Sequence, residues 1–134
     1  MSTYHVAPSL HLTISRPVEP QEVEGLIFGT GMLTYPWWLN VGDVREGGTD
    51  DGALIGFSIH HWDRVDGSDA HTVTTVLLFQ QIVDAVALVM AGEAKHAHIT
   101  DEAMRSMTED LGLADAEAAD TVLQVAVYGE AVYG

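Results

Sequence analysis

The chain of 134 residues contains no cysteine. This absence excludes disulfide bonds, zinc sites built on thiolates and cysteine nucleophiles, and it is compatible with a reducing compartment. Long uninterrupted apolar runs are also missing. The most apolar stretch, residues 73–91, is broken by Gln80, Gln81 and Asp84, which indicates a buried helix rather than a membrane span.

Basic residues are scarce. Five Lys and Arg side chains stand against twenty Asp and Glu, a formal net charge of −15. Such a chain is repelled by the phosphates of nucleic acid and by anionic lipid surfaces. We interpret the acidity as a solvated surface, because the acids are scattered among loops and helix ends. The alternative is a protein that imitates DNA.

The length and a hydrophobic fraction of 47 % predict one domain with one core, spanning residues 1–134. Residues 1–15 lack the basic run and apolar segment of a secretory signal. We therefore expect a cytoplasmic protein.

The first half of the chain predicts strands around one short helix. Leu10, Leu12 and Ile14 alternate with polar residues, as in a strand with one buried face. A helix should begin at Pro20 and end at residues 29–31. An aromatic extended segment over residues 34–41, a glycine-rich loop over 42–52 and a central strand over 53–63 should follow.

The second half predicts three helices, over residues 72–91, from an N-cap at Thr100 to Gly112, and after an N-cap at Asp115. The order is strand, helix, strand, strand and three helices. This order predicts an α+β fold, with a small antiparallel sheet of about three strands packed against helices.

The C-terminal segment, residues 119–134, reads Ala-Asp-Thr-Val-Leu-Gln-Val-Ala-Val-Tyr-Gly-Glu-Ala-Val-Tyr-Gly. It resembles the end of a family of small phage and prophage proteins, whose members carry Ala-Asp, an apolar Leu-Gln helix and Tyr-Gly-Glu-x-Val-Tyr-Gly. Gly29-Thr30-Gly31 and Tyr35-Pro36-Trp37-Trp38 correspond to a Gly-Gly and an Asn-Tyr-Trp type segment in the N-terminal half of that family. The resemblance implies a viral accessory gene acting in a host cell. It implies no activity and supplies no catalytic residues.

The aromatic segment contains the candidate ligand-binding residues. Tyr35, Trp37 and Trp38 precede a glycine-rich stretch that carries Arg45. Aromatic faces stack on nucleobases, and an arginine binds phosphate. The alternative, which we favour, is that the tryptophans anchor the core or an oligomer interface.

Histidines and acids supply the candidate metal ligands. His60, His61, Asp63 and His71 could combine near the end of the central strand, and His96 and His98 lie in a later loop. The chain has no cysteine, and these histidines are scattered along it. We therefore expect neither a metal nor another cofactor.

These observations lead to the hypothesis of a non-enzymatic phage accessory protein that binds a small nucleotide signal or a host protein. An acidic DNA mimic and a metal-dependent hydrolase using His60, His61, Asp63 and His71 are the alternatives. Because the helix over residues 72–91 is apolar on nearly every side, we also expect a homodimer or higher homo-oligomer, built on that helix or on the C-terminal tail.

Overall fold

The fold consists of a three-stranded sheet and four α-helices, in a computed structural model that describes residues 4–5, 17–63 and 71–133. The strands are β1 (Tyr4–His5), β2 (Pro17–Val18), β3 (Trp38–Arg45), β4 (Leu54–Trp62) and β5 (Thr72–Leu78). The helices are α1 (Pro20–Phe28), α2 (Phe79–Met90), α3 (Asp101–Glu109) and α4 (Ala116–Tyr128). β1 pairs with β2, and β3, β4 and β5 form an antiparallel sheet in that order. The predicted α+β class with about three antiparallel strands is confirmed.

The central strand of the sheet is β4. Its central position was predicted because neither face of this strand is consistently polar in the sequence. Its residues Phe57, Ile59 and His61 are buried on one side, as the alternation of side chains along a strand requires. The helices pack against this inner face, where α2 and α4 contact the sheet.

The prediction for residues 72–91 is wrong in its first part. Thr72–Leu78 forms β5, and the helix begins only at Phe79. The run Thr-Val-Thr-Thr-Val consists entirely of β-branched residues, which favour a pleated strand beside a partner. The helix then begins where the Gln81 side chain accepts a hydrogen bond from the backbone N–H of Leu78, at 2.7 Å.

The extended segment predicted over residues 34–41 and the glycine-rich loop predicted over 42–52 both begin later in the chain than expected. A short 3₁₀ turn occupies Met32–Thr34, and β3 runs from Trp38 to Arg45, so residues 42–45 belong to the sheet. Pairing with β4 outweighs the loop-like composition there, since Gly42 lies opposite Ser58. The connection to β4 is therefore limited to residues 46–53.

The predicted helix starts are confirmed by their caps. Pro20 is the first residue of α1, the Thr100 hydroxyl accepts from the N–H of Ala103, and the Asp115 carboxylate accepts from that of Ala118. α3 ends at Glu109 rather than near Gly112, which belongs to a 3₁₀ turn. The strand predicted around Leu10, Leu12 and Ile14 lies outside the described residues.

The apolar sides of α2 are buried within the chain itself. This helix contacts α1, α4 and the sheet, and eight of its twelve residues are buried. Its composition is thus explained by the fold and does not by itself require a second copy. Across the described ranges, no helix combines the length and apolarity needed to span a membrane.

We predict that Gly56→Ala destabilises the fold. A Cβ at Gly56 would overlap the carbonyl oxygen of Leu77 and lie 2.9 Å from the Leu78 Cα, so β4 and β5 would have to separate locally. The expected loss is about 1–3 kcal/mol of unfolding free energy, measured by urea denaturation. Ser58→Ala, two residues along the same face, is the control and should change stability by less than about 0.5 kcal/mol. Equal stability of the two variants would contradict this close approach.

Candidate functional site

The buried carboxylate of Asp120 joins α4 to the start of the sheet. The residue is only 5 % exposed. The indole Nε1–H groups of Trp37 and Trp38 both donate to its Oδ1, each at 2.7 Å, and the Gln124 side chain donates to Oδ2 at 2.8 Å. Burial raises the pKa of the Asp120 carboxyl, and these three hydrogen bonds oppose that shift.

Gln124 extends this network to the C-terminal tail. Its Oε1 accepts from the backbone N–H groups of Val132 and Tyr133, each at 2.7 Å, and its Nε2 also donates to the Tyr133 carbonyl. The chain reverses at Gly129, whose φ of 81° lies in the left-handed region that glycine tolerates best. The tail therefore folds back beside α4.

Three aromatic rings lie parallel where the tail meets the sheet. Trp37 stacks between Tyr35, at 5.0 Å between centroids and 6° between planes, and Tyr133, at 5.2 Å and 10°. All three residues are half-buried. The Tyr133 hydroxyl donates to the Asp63 carbonyl at 3.0 Å. Tyr133 is therefore fixed both by its hydroxyl and by its backbone N–H, which donates to Gln124.

A cleft of about 240 Å³ opens beside this aromatic stack. We call it the Trp37 cleft; its lining residues are Tyr35, Trp37, His96, His98, Glu117, Asp120, Thr121, Ala131 and Tyr133. The two imidazoles and Glu117 are exposed. His96 has a φ of 61°, a backbone conformation that is uncommon for a residue with a side chain. The cleft thus combines flat ring surfaces with hydrogen-bonding groups.

The residues predicted to bind a ligand are only partly brought together. Tyr35 and Trp37 line the Trp37 cleft, whereas Trp38 is a core residue that is 5 % exposed. Arg45 lies at the far end of β3, seven residues from Trp38, a separation of roughly 23 Å at about 3.3 Å per residue. It donates to the Gly52 carbonyl and pairs with Asp43, each at 3.1 Å. The predicted four-residue pocket is therefore not assembled.

His61 is a structural residue in the sheet. Its side chain is buried, with Nδ1 at 2.7 Å from the Trp62 carbonyl and Nε2 at 2.8 Å from the Thr75 hydroxyl. Because a carbonyl only accepts, Nδ1 carries a hydrogen and donates. The Tyr128 hydroxyl donates to the same carbonyl at 2.6 Å. Both ring nitrogens are thus engaged within the protein.

The other metal candidates do not gather around His61. His71 Nε2 lies 2.9 Å from an Asp63 carboxylate oxygen, and His60, as the neighbour of His61 on a strand, points to the opposite face of the sheet. In the described part of the chain, no group of three or more His, Asp or Glu side chains is placed to hold a metal ion.

Asp120, Gln124 and Tyr133 were not predicted as site residues. A usable signal is present, since Asp120 and Gln124 are four residues apart in a helix that, apart from these two residues and Thr121, is apolar from Ala118 to Val127. That spacing places two polar side chains next to each other on one side of the helix. All three also lie in the segment that carries the phage-protein resemblance.

Comparisons of the chain with family models, with curated proteins and with solved structures found no match.

We predict that Asp120→Asn destabilises the protein although it preserves the shape of the side chain. The new amide could still accept from both indoles, but its NH₂ would face the donor Nε2 of Gln124. Gln124 cannot turn round without losing its bonds to the tail. The expected cost is about 1–3 kcal/mol at pH 7, measured by denaturant unfolding.

The double variant Asp120→Asn with Gln124→Glu tests this explanation. It places an acceptor opposite the new NH₂ and keeps an acceptor for the tail amides, so part of the lost stability should return. If the double variant loses as much stability as the two single variants together, the matching of donor and acceptor between residues 120 and 124 does not contribute to stability.

The pH dependence of stability should differ between the wild type and Asp120→Asn. A carboxyl with a raised pKa in the folded state binds protons more tightly there than in the unfolded chain. Its contribution to stability is therefore present at low pH and is lost as the pH rises through the folded-state pKa. The advantage of the wild type over Asp120→Asn should accordingly be larger at pH 4, close to the ordinary pKa of an aspartate, than at pH 8, measured by urea unfolding. A difference that grows with pH would contradict the assigned direction.

Proposed function

We propose that the protein is a non-enzymatic binding protein that captures a small, nucleobase-bearing ligand in the Trp37 cleft. The observation that carries this proposal is the parallel stack of Tyr35, Trp37 and Tyr133 along one wall. Because Trp37 is covered on both sides, the ring faces left for a base to stack on are the outer ones of Tyr35 and Tyr133, an interaction worth roughly 1–3 kcal/mol for each base.

The size and charge of the cleft narrow the ligand class. Its volume of about 240 Å³ lies below the 300–1,000 Å³ typical of drug-sized pockets, which favours one ring system with a sugar over a dinucleotide. Glu117 and Asp120 contribute carboxylates, and among the residues that the structure describes no Lys or Arg lines the wall, so a polyphosphate is disfavoured. His96 and His98 can donate to ribose hydroxyls or to one phosphate.

The biological setting that we propose is a phage or prophage accessory protein in the host cytoplasm, which modulates the host by sequestering a nucleotide signal. The setting is supported by the resemblance of residues 119–134 and by the acidic, cysteine-free composition. Four residues of the cleft lining, Asp120, Thr121, Ala131 and Tyr133, belong to that same segment, so the resemblance and the cleft concern one region of the chain.

The two alternatives receive less support from the geometry. A hydrolase centred on His61 would need a free ring nitrogen, and both nitrogens are engaged. Part of the acidity that motivates a DNA mimic has a structural use, since Asp110 and Asp115 accept hydrogen bonds from backbone N–H groups.

Calorimetric titration with adenosine, guanosine, a cyclic mononucleotide and ATP tests the proposal. We expect micromolar binding of at least one nucleoside or cyclic mononucleotide, and weaker binding of ATP because the cleft and the whole chain are acidic. Trp37→Ala removes the middle ring, which holds Tyr35 and Tyr133 parallel in the cleft wall, and should weaken binding by about 5- to 150-fold, the equivalent of roughly 1–3 kcal/mol.

Trp62→Phe is the matched control, because Trp62 lies on the sheet and outside the cleft lining. It should leave the affinity unchanged. If none of the four probes binds below millimolar concentration, or if Trp62→Phe weakens binding as much as Trp37→Ala, the cleft proposal fails. Capping of a host protein then becomes the better hypothesis.

A further inference from the structure

The sheet has a second face, turned away from the helices. The pairing register places Asn40, His60 and Thr74 in one row across the three strands, and Gly42, Ser58 and Val76 in the next. Two further rows complete this surface, which we call the outer sheet face. Its remaining residues are Val44, Gly56, Leu78, Trp62 and Thr72.

None of these eleven residues is Asp, Glu, Lys or Arg. A typical protein surface is about 25–35 % charged, so roughly three of eleven positions would be expected to carry charge, and this chain has twenty acids to place. Several large apolar side chains are open to solvent here, with Val76 53 % exposed, Leu78 45 % and Trp62 38 %. A neutral, partly apolar surface on a chain of net charge −15 marks an interface.

We propose that the outer sheet face binds a second copy of this chain and forms a symmetric homodimer. The electrostatics identify the partner. Two copies with a charge of −15 each repel one another through their acidic surfaces, and the outer sheet face is a surface on which they can meet without bringing carboxylates together. A basic partner would instead be attracted to the acidic surfaces.

The outer sheet face can meet a second copy through a twofold rotation. An in-plane twofold axis perpendicular to β4 brings the Trp62 end of one copy over the Gly56 end of the other. There the indole would meet the apolar side chains of Val44 and Leu78, which lie on either side of Gly56. Under the same operation β5 lies over β5, so each Val76 faces the partner's β5.

The area of the face sets the expected affinity. Three strands about 4.8 Å apart and seven residues long cover roughly 14 Å by 23 Å, and the accessible area of such a corrugated surface exceeds this footprint. Two faces together approach the lower limit of about 1,000 Å² for a specific interface. A dimer that dissociates in the micromolar range is the consequence.

Sedimentation equilibrium of the full chain between about 1 and 100 µM tests the dimer. We expect a monomer–dimer equilibrium that strengthens when sodium chloride rises from 50 to 500 mM, because salt screens the repulsion between acidic copies. Val76→Glu should weaken association by at least about 100-fold while circular dichroism shows an unchanged fold. A chain that remains monomeric at 100 µM in 500 mM salt overturns the proposal.

Two controls locate the interface. Leu113→Glu changes an apolar residue that is 57 % exposed and lies away from the sheet, and Leu88→Glu changes the exposed side of α2; neither should affect association. Mixing Val76→Glu with Val76→Lys protein should restore a dimer, since the two charges attract across the twofold axis. If Leu88→Glu abolishes the dimer and Val76→Glu does not, α2 rather than the outer sheet face is the interface.

Discussion

The hydrogen bonds to the Asp120 carboxylate connect the parts of this protein that are far apart in sequence. One oxygen accepts from the indoles at the start of β3, and the other accepts from Gln124, which binds the tail. A buried carboxylate requires such partners, because an unpaired charge in the interior is strongly destabilising. The position of Trp37, and with it the wall of the Trp37 cleft, depends on this one group. In the described residues no buried side-chain nitrogen or oxygen lacks a partner.

The acidity of the chain shapes its surface in two opposite ways. Some carboxylates serve backbone N–H groups, as Asp115 does at the start of α4 and Glu22 does for Leu111, and helix dipoles favour negative charge at helix starts. The outer sheet face, by contrast, contains no Asp, Glu, Lys or Arg. The residues that line the cleft and those of this face do not overlap, so the two proposed binding surfaces use different residues.

Local signals predicted much of the secondary structure. Pro20, Thr100 and Asp115 mark helix starts through chemistry that acts within four residues. The predicted boundaries of helices and loops are wrong where pairing with a strand that is distant in sequence determines the secondary structure. Residues 72–78 continue smoothly into an apolar helix in sequence, and only pairing with β4 selects the strand. Residues 42–45 look like a loop until the same partner places them in β3.

The features of the candidate site also fall into those that the sequence predicts and those that depend on tertiary packing. The sequence by itself determined the α+β class, the central position of β4, the helix caps and the aromatic character of residues 35–38, because these follow from composition, periodicity and short-range hydrogen bonds. Only the tertiary structure decided which side chains meet. It separated Arg45 from Trp38 by the length of a strand, engaged both nitrogens of His61, and brought Tyr133 onto Trp37 from almost a hundred residues away. Those outcomes depend on the burial of Asp120 and the strand register, and both are set by packing between segments that are distant in the chain.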